Sequence, residues 1–334
     1  MIRRICRPLL VPLLLMASSQ AGAQAAPGPH WEKLAPADGL ADSYRNELGG
    51  AVLQVDFAPG ALDLGDDAIL HHIQAAESAV IAYYGRFPVS RARVLVAPVA
   101  NRGGDPQGTT WGDVGGFQGF TRLRIGEHTT QADLADDWVT THELVHMAFP
   151  SQERDQHWIE EGLATYIEPL ARVKTGELTA RKVWGDMFRD MQKGEPQPGD
   201  QGLDHTHTWA RTYWGGALFC LVADVEIRRQ TGNNKGLQDA LRAIVEQGGT
   251  IDQEWPIEKA FEVGDRATGT HVLATMYAAW KDAPVPVDLD KLWSELGIRR
   301  GGDGVEFVNT APLAAIREAI AGEAATAGTP VANH

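Results

Sequence analysis

The chain has 334 residues, 43% of them hydrophobic, and a formal net charge of −14. That is enough apolar material for one or two packed domains, and the acidic balance argues against nucleic acid or an anionic lipid surface as partner. Two cysteines, Cys6 and Cys220, exclude a disulfide framework.

Residues 1–23 read as a signal peptide. Arg3, Arg4 and Arg7 precede a short apolar run at 9–17, and Ala21-Gly22-Ala23 forms an A-x-A cleavage site. The run is too short for a good membrane span, so the expectation is export to the periplasm or medium with no membrane attachment afterwards; an uncleaved anchor is the alternative. Cys6 lies ahead of the apolar run, which does not suit a lipoprotein cysteine. Cleavage removes three Arg and no acid, taking the formal charge from −14 to −17 and leaving Cys220 alone in an apolar run as a core residue.

Residues 24–50, rich in Pro, Gly and Ala, read as a lead-in segment. A strand is expected at 51–57 and a helix at 66–84, where Ile69, Ile73, Ala76 and Val80 have helical spacing. His71 and His72 on that helix read as packed or surface histidines. A Val-rich strand follows at 91–99, then a Gly-rich loop at 101–111 that does not match a phosphate loop. Residues 115–125 read as a turn plus strand.

The stretch 138–150 holds His142, Glu143 and His146 as His-Glu-x-x-His. On a helix, positions i and i+4 share a face, so two imidazoles can grip one metal ion, and Glu143 can reach a water on it. Asp133, Asp136 and Asp137 suit the helix start, and Pro150 reads as its stop. The competing reading is a buried helix with two hydrogen-bonded histidines. A third ligand is expected from the helix beginning near Trp158, which carries Glu160 and Glu161. The pattern with a third His fails, because Phe149 and Gln152 stand at its Gly and His positions.

Beyond this the chain is nearly all helix: 166–173 extends the second helix, and further helical segments fall at 179–193, 213–230, 234–247, 252–263, 269–280, 289–296 and 312–321. A Pro/Gly-rich loop covers 194–204, a short strand 305–308, and a small-residue tail 322–334. His205 and His207 read as polar loop residues. The order, mixed α and β first and helices after, implies an α+β protein with an α/β lobe at 51–150 and a helical lobe at 151–321.

His142–His146 followed by Trp158-x-x-Glu161-Gly162-x-Ala164-x-Tyr166 resembles the gluzincin metallopeptidases, closest to the glycyl aminopeptidase and aminopeptidase N branches. The likeness spans about 67–296. It implies a thermolysin-like catalytic domain, with one Zn2+ per chain in a cleft between a small mixed-sheet lobe and a larger helical lobe. By this resemblance His142, His146 and Glu161 bind the zinc, Glu143 is the general base, and Tyr213 stabilises the oxyanion. Gly215 departs from the family's usual Lys. The strand ahead of the His-Glu-x-x-His helix pairs with substrate in this family, which points to 115–120 and to Gly116, Phe117 and Gln118 as substrate contacts. Gln118 then stands where the glycyl branch keeps a Glu for the free α-amine, so a strict aminopeptidase is not expected. The substrate is a peptide or protein. A scaffold that binds without turnover, or a zinc hydrolase of another amide or ester, remains the alternative, and the oligomeric state is not legible.

Overall fold

The computed structural model describes residues 31–302 and 304–322; the proposed signal peptide and nearly all of the tail lie outside them. A six-stranded sheet has the order β1-β2-β3-β4-β6-β5. Its strands are β1 (Glu32–Leu34), β2 (Asp42–Leu48), β3 (Ala51–Phe57), β4 (Arg91–Val99), β5 (Gln107–Val114) and β6 (Phe117–Gly126). The β3–β4 and β4–β6 pairs are parallel and the other three antiparallel. Helix α1 (Asp66–Tyr84) makes the crossover from β3 to β4 and buries Ile69, Leu70, Ile73, Ala76 and Val80. Gly85 ends it with φ 83, the left-handed conformation that suits glycine.

Two expectations need correction. Within 24–50, the described part contributes β1 and β2 to the sheet. The apolar alternation that marks a strand is missing because two buried positions of β2 are polar, Ser43 and Asn46. Asn46 donates to the buried Glu77 of α1 across 2.9 Å. Residues 101–111 likewise contain most of β5. Its helix-facing positions are Gly108, Thr110 and Gly112, small because Glu143 leaves no room for a side chain at Gly108 and the carbonyl of Ile251 leaves none at Gly112. Gly115 and Gly116, at φ 61 and 81, close the β5–β6 hairpin in two residues with positive φ at both, as a tight hairpin turn requires. Thus β5 is the sheet's outer strand on this side, and β6 lies inside, between β4 and β5.

The helical part is α2 (Gln131–Asp136), α3 (Val139–His146), α4 (His157–Thr175), α5 (Ala180–Asp190), α6 (Gly216–Gln230), α7 (Leu237–Glu246), α8 (Ile257–Thr268), α9 (Val272–Trp280), α10 (Leu289–Leu296) and α11 (Ala314–Ala321). A small hairpin, β7 (Ile298–Gly301) and β8 (Gly304–Phe307), follows α10. Helix α3 ends at His146, one turn before Pro150. Cys220 is a buried free thiol. One apolar core runs from Ala51 in the sheet to Ala321 in α11, with α4 packed against α1, α3 and α6. No helix among the described residues is long and apolar enough to cross a membrane.

Candidate metal centre

Asp137 anchors the helix that carries the motif. Its carboxylate accepts from the backbone N–H groups of Val139 (2.7 Å) and Thr140 (3.2 Å) and from the Thr140 hydroxyl (2.6 Å). His72 adds a contact at 2.7 Å, which gives that histidine a packing role. Burial pushes the Asp137 carboxyl up, but His72 and these donors hold it below its ordinary value. Arg172 of α4 donates to the Asp137 carbonyl (2.9 Å) and to the Glu168 carboxylate (2.9 Å), tying α3 and α4 together.

From these two helices His142, His146 and Glu161 converge. One ligand atom from each lies within 4.8 Å of the others, and among the described residues no other group of His, Cys, Asp and Glu is so placed. Glu161 Oε2 lies 3.1 Å from His142 Nε2 and 3.6 Å from His146 Nε2. Two atoms each about 2.0–2.1 Å from one ion, at the tetrahedral angle, are about 3.4 Å apart, so the separations and the donor set fit zinc. Burial and the nearby His142 depress His146 to about 3, which keeps its ring neutral, as ligation needs. Burial raises the Glu161 carboxyl, but hydrogen bonds from His142 and His157 and its interaction with the nearby His146 hold it well below the usual carboxylate range.

Glu160 and Glu161 separate clearly. Glu161 faces the histidines, and its other oxygen lies 3.1 Å from His157 Nε2. Glu160 turns to His157 Nδ1 (2.9 Å) and the backbone N–H of Gln152 (3.3 Å). His157, absent from the sequence reading, thus bridges the two carboxylates. They raise it to about 10, so it is protonated at neutral pH.

Glu143 is buried and faces β5. Thr110 Oγ1 lies 2.7 Å from Glu143 Oε2 and 2.9 Å from the Thr121 hydroxyl, so a short chain of donors ends on the carboxylate. Burial raises the Glu143 carboxyl more than Thr110 and His142 lower it, the shift expected of a base working near neutrality. Tyr213 lies in a π-helical turn, Arg211–Gly215, that leads into α6. Such turns recur at functional sites. Its ring stacks on His142 at 6.1 Å and 15°. Burial and the Glu161 carboxylate push the phenol up, leaving it a neutral donor. Gly215 is buried; a Cβ there would sit 3.0 Å from Arg211 Nη1 and 3.2 Å from Leu203, so a side chain as long as Lys has no room without movement.

Gly108, Thr110, Glu143, His146, His157 and Tyr213 help line a cavity of about 280 Å³. A larger one, about 1020 Å³, lies between α5, α10 and the β7–β8 hairpin, away from these groups.

The expected substrate residues are elsewhere. Gly116 is in the hairpin turn, Phe117 lies 5.0 Å beneath the Arg91 guanidinium, and Gln118 accepts from Ser90 and donates to Asp252. None of the three lines the cavity; Gly108, Thr109 and Thr110 of β5 do. The three lie away from it because β6 pairs in parallel with β4, a long-range contact that places β6 inside the sheet. The available signal for β5 was its β-prone Thr109, Thr110 and Trp111 between glycines. His205 and His207 are half-exposed and face Asp282 and Asp155 on the surface.

No protein-family model and no curated protein sequence matches this chain. Solved structures do. An aminopeptidase N family protein from Idiomarina loihiensis matches with a TM-score of 0.56 and 13% identity, over 81% of this chain and 49% of its own. The M1 zinc metallopeptidase from Deinococcus radiodurans matches with a TM-score of 0.46 and 15% identity, over 78% of this chain and 54% of its own. The chain spans about half the length of these proteins. Its mixed α/β fold, six strands and the helices around them, is that of the aminopeptidase N family protein, and at 13% identity the likeness is one of fold.

Proposed function

We propose that the protein is a gluzincin-type zinc metallopeptidase with a thermolysin-like site, exported to the periplasm or medium by cleavage of residues 1–23. The observation that carries this reading is the convergence of His142, His146 and Glu161 beside Glu143 and Tyr213. When bound, zinc supplies Lewis acidity that polarises a carbonyl and lowers the pKa of water. Glu143, buried and steered by Thr110, takes a proton from the attacking water and returns it to the leaving amine. Tyr213 donates its phenolic hydrogen to the oxygen on which charge develops. His157 holds the outer oxygen of Glu161, and such support keeps a ligand carboxylate in place.

A peptide adds as a strand to the free edge of β5, with its backbone against Gly108–Thr110. From Gly108 to Gly112 this edge carries no carboxylate to hold a free α-amine, which favours internal bonds. Digestion of a peptide library with and without chelator, read by mass spectrometry, tests the proposal. Chelator-sensitive cleavage at internal bonds is expected. Zinc-loaded protein that cuts no peptide, or cleavage indifferent to chelator, overturns it.

A further inference from the structure

Among the described residues, four large apolar side chains are more than a third exposed: Trp111 (39%), Val114 (37%), Trp138 (45%) and Trp209 (62%). All four stand on segments that build the cleft. Trp111 and Val114 are on β5, Trp138 immediately precedes α3, and Trp209 stands four residues before Tyr213. Two of them pack on site residues. The Trp138 ring meets His142 edge-on at 5.1 Å, and Trp209 stacks on Tyr213 at 5.6 Å and 25°. With the His142–Tyr213 stack at 6.1 Å they form a continuous row of four rings beside the cavity, exposed at both ends. Exposed apolar groups clustered at a cleft mark a binding surface.

The alternation of a β-strand extends the argument. Thr110 and Gly108 face Glu143, so Trp111 points to the opposite side of the sheet, where it stacks on Phe120 at 5.8 Å. A peptide strand added to β5 sends successive side chains to these two sides in turn. One set faces the side of His142, Tyr213 and their tryptophans; the other lies alongside Trp111.

Building on the peptidase reading, we propose that the cleft selects extended polypeptide segments with large apolar, above all aromatic, side chains flanking the scissile bond, and that Trp209 is a specificity-determining residue. Trp209 offers a ring face already oriented by Tyr213, and aromatic pairs favour such offset packing.

The test uses the bond that wild-type enzyme cuts in the library, with Phe, Leu, Ser or Asp placed at each flanking position. The kcat/KM for Phe over Ser is expected to be about tenfold or more at one flanking position, the scale of burying one large apolar side chain. Trp209→Ala should collapse that ratio towards one, and Trp209→Phe should keep most of it. A ratio near one in the wild type, or one unchanged in Trp209→Ala, overturns the proposal. Equal loss on all peptides, confined to kcat, also overturns it, since Trp209 would then only position Tyr213. Binding of the same peptides to zinc-loaded Glu143→Gln, followed by tryptophan fluorescence, reads the preference without turnover. Apolar-selective binding with no cleavage by wild type would sink the peptidase reading and leave the selection standing.

Discussion

Gly162 of α4 and Gly216 of α6 meet backbone to backbone, with no space for a Cβ on either. Glu161 immediately precedes the first and Tyr213 lies three residues before the second. The closeness of this helix crossing therefore brings the carboxylate and the phenol to one cavity. Adding a methyl group at the crossing forces the helices apart. Gly216→Ala is expected to cost about 1–3 kcal/mol, the scale of core overpacking, and to weaken zinc binding. Urea unfolding of the metal-free protein and a zinc titration check both. Wild-type values in both would show that the crossing does not set the site.

Zinc content follows from the ligand geometry. One zinc per chain is expected by elemental analysis, and His146→Ala or Glu161→Ala should each lower affinity severely, because a three-ligand site becomes a two-ligand one. Full zinc retention by both variants would sink the ligand assignment.

Glu143 and Tyr213 act on different steps and should fail differently. Glu143→Gln keeps the size of the side chain and should retain zinc while kcat falls by about 10²-fold or more. Tyr213→Phe removes one hydroxyl; kcat should fall by about 10²–10³-fold with KM nearly constant. A change in KM alone would make Tyr213 a substrate contact.

How far the sequence could be read depended on whether a feature is local. His142, Glu143 and His146 lie within five residues, so their shared helix face was legible at once. Glu161 needed the resemblance, since Glu160 beside it has the same chemistry and only the rotation of α4 separates them. Strand β2 escaped notice because Ser43 and Asn46 are polar where a strand's buried face is usually apolar. Strand β5 escaped because its inward positions are small. The outer strand was expected one strand away: both arms of the 107–126 hairpin precede the helix of His142 and His146, and which arm lies outside depends on the pairing of β4 with β6, some 25 residues apart in the chain.

Glu77 gives the fold a pH dependence of its own. It is fully buried, its one hydrogen-bond partner is the Asn46 amide, and burial raises it from 4.5 to about 7. Because the folded value lies above the unfolded one, its stabilising contribution is full below pH 4.5. It is lost as pH rises through 7, where the folded state must also give up the proton. The span corresponds to about 3 kcal/mol as an order of magnitude. Glu77→Gln, neutral at every pH, should flatten this part of the profile, and its stability relative to wild type should rise between pH 4.5 and 8. Urea unfolding of both proteins at several pH values measures it; parallel profiles would remove Glu77 as the cause.

The sharpest consequence of placing β5 at the edge concerns the substrate's N-terminus. Holding an ammonium group in a cleft requires a carboxylate, since a charge-assisted hydrogen bond is roughly twice as strong as a neutral one. The edge offers Gly108, Thr109, Thr110, Trp111 and Gly112, none of them acidic, and the one acid of β5, Asp113, does not line the cavity. Gln118, once expected to stand in for such an acid, is neutral and engaged with Ser90 and Asp252. Glu143 and Glu161 have roles in the proposed chemistry. That leaves Glu160 as the cavity acid able to take an amine, and His157 already holds it at 2.9 Å. A peptide with an acetylated N-terminus should therefore be cut at a rate within a few-fold of its free counterpart, and at internal bonds. Comparing the two forms of one peptide by mass spectrometry decides the matter. If only the free form is cut, one residue at a time from its N-terminus, the endopeptidase reading is wrong. Glu160→Gln would then be expected to abolish that selectivity, because Glu160 would have exchanged His157 for the substrate amine.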